Sequence, residues 1–311
     1  MNKNNLLLLP LLLVSLILSG CGPSATPAAS PTASVPTAAP ATLPAATASL
    51  APTDTLLPTP TATPLPSPTP AAGEIRVSDT DNMEMVYVPA GDFSMGSPTG
   101  AADAQPVHTV TLGAFWIDRR EVTNAEYTLC LQAGVCLRPF TNGSNTHIDY
   151  FANPIYKNYP VIDLRWSSAD KYCTWAGRRL PTEAEWEKAA RGTDGRTYPW
   201  GNGEPTAKLL NFNNPVGDTL AVGSYLKGAS PYGALDMAGN VMEWVADWYG
   251  SVYYASSPQA NPTGPADGTY KVLRGGSWHS DVYAVMSAAR HYQAPDTRNI
   301  VVGFRCALSA Q

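Results

Sequence analysis

Between Asp236 and Glu243 the chain reads Asp-Met-Ala-Gly-Asn-Val-Met-Glu, with oxygen-bearing side chains at short alternating spacing. A hard cation needs such a run of oxygen ligands, and calcium accepts them in an irregular shell. The competing reading has Asp236 and Glu243 merely capping turns. A second stretch of interest, RGGSWHSDVYAVMSAARHYQAPDTRNIVVGFRC, runs from Arg274 to Cys306. It opens on a double glycine, closes on Gly-Phe-Arg-Cys, and carries polar and aromatic residues with neither a helical nor a strand period. The four histidines (His108, His147, His279 and His291) lack metal-ligand spacing. His279 and His291 flank that stretch and read as solvent-facing loop residues.

The chain has 311 residues, and its composition divides it into three parts. Lys3 precedes an apolar run from Leu6 to Leu18, too short for an ordinary spanning helix and placed as an export signal is placed. The run ends in Leu18-Ser19-Gly20-Cys21, which resembles the lipobox of bacterial lipoproteins. That likeness implies cleavage before Cys21, a lipid on its thiol, and a tether on the outer face of the cytoplasmic membrane or at the cell surface. An uncleaved anchor is the alternative. Residues 22–73 are Ala, Pro, Thr and Ser with almost no charge, so they are expected to stay disordered and extended as a spacer. The folded domain is expected over 74–311, since the first aromatic residue is Tyr87 and all eight tryptophans lie between Trp116 and Trp278. A net charge of −5, with no basic run longer than Arg-Arg, argues against a nucleic-acid partner.

Four cysteines follow Cys21: Cys130, Cys136, Cys173 and Cys306. An even set in an exported domain argues for two disulfides, with three pairings open. The compact spacing of Cys130 and Cys136 suggests a local bridge, and Cys173 with Cys306 would then close a long loop.

The elements that must position these groups are short. Met85 to Ser97 reads as a strand, a turn at Pro89-Ala90-Gly91 and a second strand, and His108 to Asp118 is also β-rich. Thr123-Asn124-Ala125-Glu126 and Thr182-Glu183-Ala184-Glu185 are capping boxes, predicting helices that stop near Gly134 and at Gly192. A third helix is expected from a Ser167 cap to Gly177. Beyond Gly192, Gly, Pro and Asn are too dense for long elements. The fold class is α+β with little regular structure. Trp244, Trp248, Tyr249 and Trp278 read as core packing in preference to a sugar-stacking surface. Asn142-Gly143-Ser144 matches a glycosylation sequon by pattern alone.

YCTWAGRRLPTEAEWEKAARG (Tyr172 to Gly192), YPWGN (from Tyr198), GALDMAGNVMEWVADWY (from Gly233), VLRGGSW (from Val272) and GFRC (from Gly303) occur in that order. Together they resemble the sulfatase-modifying factor family, whose founding activity is the formylglycine-generating enzyme. The resemblance spans residues 80–308 and implies a C-type-lectin-like fold and a Cys173–Cys306 bridge. It also implies one calcium held by the Asp236 and Glu243 carboxylates and the Gly239 and Val241 carbonyls. A second would be held by Asn211, the Phe212 carbonyl and Asp218. Active members oxidise a substrate cysteine with oxygen and copper, and two cysteines shortly after the Gly-Gly-Ser hold the metal. Soft thiolates suit Cu(I). Here Ser280 stands at the first of those positions and no cysteine follows in the shortened Asp281–Arg290 segment. Copper is therefore not expected. A related branch joins this fold to an iron-binding helical domain, which this chain is expected to lack.

The leading expectation is a tethered, calcium-stabilised binding module without formylglycine-generating activity. Its ligand would be a protein, peptide or glycan on a surface centred on His279, Tyr283, His291 and Tyr292. The rivals are an oxidoreductase acting in the same groove and an accessory domain with no ligand. Residues 279–284 with Thr297, Asn299, Ile300, Val301 and Val302 depart from the family pattern, and all are reachable from an AAC codon by changing adenines only. That resembles variable proteins of diversity-generating retroelements. Gln293 does not fit the scheme, and ordinary drift in an exposed loop is the preferred account.

Overall fold

The computed structural model describes residues 69–310. The apolar leader, Cys21 and the spacer up to residue 68 lie outside the described residues. Ten short strands and three α-helices make an α+β domain. Among the described residues, no helix is long and apolar enough to cross a membrane.

One antiparallel sheet joins β1 (Ile75–Val77), β2 (Glu84–Val88), β5 (Phe115–Asp118) and β10 (Ala307–Ser309), in the order β1-β2-β5-β10. β3 (Gly91–Met95) and β4 (His108–Leu112) form a separate two-stranded sheet, with Thr111 of β4 also bridging Ala260. The strand–turn–strand expected over 85–97 is present. Its two strands nevertheless enter different sheets, because Tyr87 and Val88 pair with Trp116 and Phe115 while Phe93 pairs with Val110. The third sheet is ordered β8-β7-β6-β9: β8 (His291–Gln293), β7 (Lys271–Arg274), β6 (Met242–Trp248) and β9 (Val302–Phe304). β6 runs antiparallel to β7 and parallel to β9, which sets Glu243 between Arg274 and Gly303.

Both capping boxes form as the sequence requires. Thr123 starts α1 (Asn124–Gln132) and Thr182 starts α3 (Glu183–Arg191); each hydroxyl accepts the third amide of its helix while the Glu at that position reaches back. Gly134 (φ 72°) and Gly192 (φ 68°) follow the helix ends in conformations that favour glycine. α2 (Trp166–Trp175) corrects the expected Ser167 cap. It begins after Arg165, with no side-chain cap, because the Pro295 carbonyl takes the Trp166 amide and tertiary contact replaces the cap.

Both disulfides are present, Cys130–Cys136 and Cys173–Cys306. The second lies in a core of Tyr127, Tyr172, Trp244 and Phe304, and a neighbouring core gathers on Trp186 of α3. Trp244 and Trp278 are buried, as the packing reading expects. Trp248 is half-buried and stacks on Lys271, whose ammonium lies 4.0 Å from its ring and 4.1 Å from that of Trp166.

Candidate functional site

α3 lays two carboxylates beneath the Arg274–Cys306 stretch. Arg290 grips Glu183 through Nε (2.7 Å) and Nη2 (2.8 Å). Arg274 donates to Glu187 (2.5 Å), and Arg191 donates to the same carboxylate one turn along the helix (2.9 Å). All these groups are buried. Isolated buried charges are costly, and this arrangement pairs each one and directs further guanidinium donors to backbone carbonyls, leaving Arg274 Nε without a partner among the described residues. The result is a rigid floor for a cleft of about 660 Å³.

The cleft walls include Pro98, Tyr283, Ala284, Met286, Ala288 and His291. Tyr283 is 71% exposed at its mouth. His291 Nε2 lies 3.0 Å from the Ala284 carbonyl, and burial pushes its imidazole below the usual histidine range. The four residues expected to form one binding surface therefore divide. Tyr283 and His291 share the cleft. Tyr292 points from the other face of β8 by strand alternation and stacks on Tyr249 (4.1 Å between centroids). His279 is exposed, with its ring edge-on to Trp278. Val302 is fully buried on β9, so it does not belong with exposed variable positions.

Ser280 lies at the start of this wall. Its hydroxyl accepts the Ser277 amide (2.9 Å) and sits 3.3 Å from the Ser277 hydroxyl, closing a turn. With all four domain cysteines paired, no free thiol remains among the described residues. A copper ion held by two thiolates does not fit these residues.

The Asp236–Glu243 run folds tightly. Gly239 (φ 75°) approaches Asn211 so closely that an added Cβ would fall 2.3 Å from the Asn211 carbonyl oxygen. Glu243 is fully buried and already engaged: Arg305 donates through Nε and Nη2 at 2.7 Å each, and the Trp186 indole donates at 2.8 Å. Asp236 accepts the Gly223 amide. Sequence reasoning missed Glu121, which follows two arginines and reads as a solvated charge. It is buried, accepts from Asn240 Nδ2 (2.6 Å) and the Val241 amide (3.1 Å), and is pushed well above the carboxylate range by burial and then by Asp236 and Glu243. Burial also lifts Asp236 to about 6. Glu121 and Asp236 therefore hold their protons more readily than free carboxylates, beside the fully buried Arg305–Glu243 pair, and a cation bound there would favour their ionised forms. Among the described residues no three Asp, Glu, His or Cys side chains converge as a metal cage, so a cation here would depend on the Gly239 and Val241 carbonyls.

At the second expected position, Asn211 Nδ2 donates to the Asp218 carbonyl (2.9 Å). Asn211 Oδ1 is buried with no hydrogen-bond partner among the described residues. A buried acceptor left in this way suits a cation ligand. Burial opposes ionisation of Asp218, but hydrogen bonds from Ser144, Thr146 and Thr219 hold it below the usual range.

Asp247, on β6, accepts the Glu183 amide (2.8 Å) and is raised to about 8, by burial first and then by Glu183. Its folded pKa exceeds its unfolded one, so its contribution to stability is complete at acid pH and is lost as pH rises through about 8. Asp118, raised to about 7 by burial, acts in the same direction. The melting temperature is therefore expected to fall between roughly pH 4 and 8, with Asp247→Asn flattening the decline. A melting temperature that is constant or rising across that range would contradict the assignment.

The model of the sulfatase-modifying factor enzyme 1-like domain matches residues 72–310. A serine/threonine-protein kinase pkn1 of Chlamydia pneumoniae is 41% identical over 239 residues, covering 72% of this chain and 38% of that protein. The chain thus spans well under half the length of the kinase relatives it matches. The formylglycine-generating enzyme of Streptomyces coelicolor is 35% identical over 281 residues, covering 72% of this chain and 89% of that enzyme. Among solved structures, PvdO from Pseudomonas aeruginosa superposes with a TM-score of 0.66 at 28% identity, covering 78% of this chain and all of that one.

Proposed function

The chain belongs to the sulfatase-modifying factor family, and from that premise we propose that it is a binding module that has kept the family scaffold without its oxidase chemistry. The observation that carries this reading is Ser280. A serine stands where the resemblance puts a copper ligand, its hydroxyl is committed to Ser277, and every domain cysteine is in a disulfide. A hydroxyl is a poor partner for Cu(I). What the face keeps is a rigid cleft with an exposed aromatic at its mouth, suited to capturing a protein, peptide or glycan. In the cell, the lipobox-like Cys21 and the Pro-rich spacer would hold the module outside the cytoplasmic membrane. The full-length chain, incubated with a cysteine-containing sulfatase peptide with or without copper, is expected to yield no formylglycine by mass spectrometry. Ser280→Cys alone should not restore it, because one thiolate does not make a two-sulfur site. Product formation by the unaltered chain would overturn the proposal.

Calcium is the proposed stabiliser. If it binds the native state alone, saturation at 100-fold over Kd contributes about 2.7 kcal/mol, or roughly 5–10 °C for a domain of this size. Asp236→Asn is the informative variant, expected to remove much of that gain. Glu243→Ala is unsuitable, because it would also strand Arg305. Identical melting temperatures in chelator and in saturating calcium, after the sites have been stripped, would sink the calcium reading.

A further inference from the structure

The turn at Gly217–Asp218 is clasped by a loop lying 72 to 74 residues earlier in the chain. Asp218 Oδ2 accepts three hydrogen bonds from that loop: Ser144 Oγ (2.6 Å), the Thr146 amide (2.8 Å) and Thr146 Oγ (2.7 Å). Asn145 Nδ2 adds a fourth contact, to the Gly217 carbonyl (2.8 Å). The other carboxylate oxygen, Oδ1, accepts only the Thr219 amide (2.8 Å). Asn211, whose Oδ1 is the unpartnered buried acceptor, is tied to Asp218 through its amide nitrogen. Ser144, His147 and Asp218 do not form a hydrolytic triad. The serine bonds the carboxylate and not the imidazole, and His147 Nδ1 lies 3.0 Å from the Tyr156 hydroxyl. Ile148, next in the loop, is 93% exposed.

We propose that Ser144 and Thr146 are positioning residues for a cation site built on Asn211 and Asp218, and that they couple occupancy of that site to the placement of the Ser144–Ile148 loop. This inference rests on the calcium reading above. The physical link is the shared carboxylate: Oδ2 is committed to the loop, while Oδ1 accepts one hydrogen bond and keeps a lone pair for an ion. A cation fixed on Oδ1 restrains the carboxylate and with it the anchor of three hydrogen bonds. By reciprocity, donors that hold the carboxylate in place raise affinity for the ion. Ile148 is thereby presented in one place when the ion is bound and released to wander when it is not.

The test is hydrogen exchange of the full-length chain in chelator and in calcium, read at the amides of residues 144–148, alongside calcium titration. Calcium is expected to slow exchange of the Thr146 amide about tenfold or more, and the Ser144→Ala/Thr146→Ala pair to weaken calcium binding about tenfold. Thr146→Ser, which keeps the hydroxyl, should restore both effects, which a merely structural role for the methyl group would not. Ser144→Ala alone serves as the milder variant if the pair unfolds. A melting temperature that rises with calcium while loop exchange stays the same, with the pair binding as the unaltered chain does, overturns this coupling alone. No binding and no thermal shift overturns the coupling and the calcium reading together.

Discussion

Replacing Cys173 and Cys306 by serine is expected to lower folding stability by up to about 5 kcal/mol, the loop-closure effect of a loop of this length. The bridge spans 133 residues, ties α2 to the segment between β9 and β10, and sits fully buried beside Tyr172 and Phe304. Cutting it frees most of the domain's contour in the unfolded ensemble and leaves two hydroxyls in an apolar core. The Cys130–Cys136 bridge spans only 6 residues, and the same relation gives it about 2 kcal/mol. Denaturant unfolding of the two double variants makes the comparison. Equal losses would show that loop length does not govern here, and a larger loss at Cys130–Cys136 would reverse the assignment.

Arg305→Met is expected to cost roughly 3–5 kcal/mol, because it strands the Glu243 carboxylate in the core. The guanidinium makes both of its carboxylate contacts there and also donates to the Asp118 (3.0 Å) and Leu235 (2.8 Å) carbonyls, so β9, β6 and the end of β5 meet on one side chain. Adding Glu243→Gln to Arg305→Met should recover a large part of the loss. The amide removes the buried charge, and its oxygen can still accept the Trp186 indole. Thermal or denaturant melts of the single and double variants read the difference. A double variant no more stable than Arg305→Met would mean that the loss comes from the carbonyl contacts and not from the unpaired carboxylate.

Several features of the fold and site were legible in short windows of sequence. The Thr123 and Thr182 capping boxes and the glycines after the helices act within four or five residues, so local chemistry alone places α1 and α3. The turn at Pro89-Ala90-Gly91 is local in the same sense. Cysteine parity implied two bridges, and the absence of a thiol at Ser280 could be read directly. The pairing of Cys173 with Cys306 needed the ordered motifs of a family, because spacing alone left alternatives open.

Tertiary structure decided the rest, for one recurring reason: burial and partnership depend on what lies opposite, and that comes from distant chain. Residues Met85 to Met95 look like one unit, yet cross-strand partners at Phe115–Asp118 and His108–Leu112 send β2 and β3 to separate sheets. Ser167 is a good capping residue, but the Pro295 carbonyl satisfies the helix start first. Glu121 looks solvated beside Arg119 and Arg120 until Asn240 and Val241 close over it. His291 and Tyr292 are neighbours in sequence, and the pleat of β8 turns one toward the cleft and the other toward Tyr249. Val302 reads as a loop residue and becomes core because β6 runs alongside it. The sequence by itself determined which local structures and chemical groups are available, since those depend on neighbours within a turn or two. Only the folded chain decided which of them face one another, because each such meeting is set by sheet order, register and packing across tens of residues.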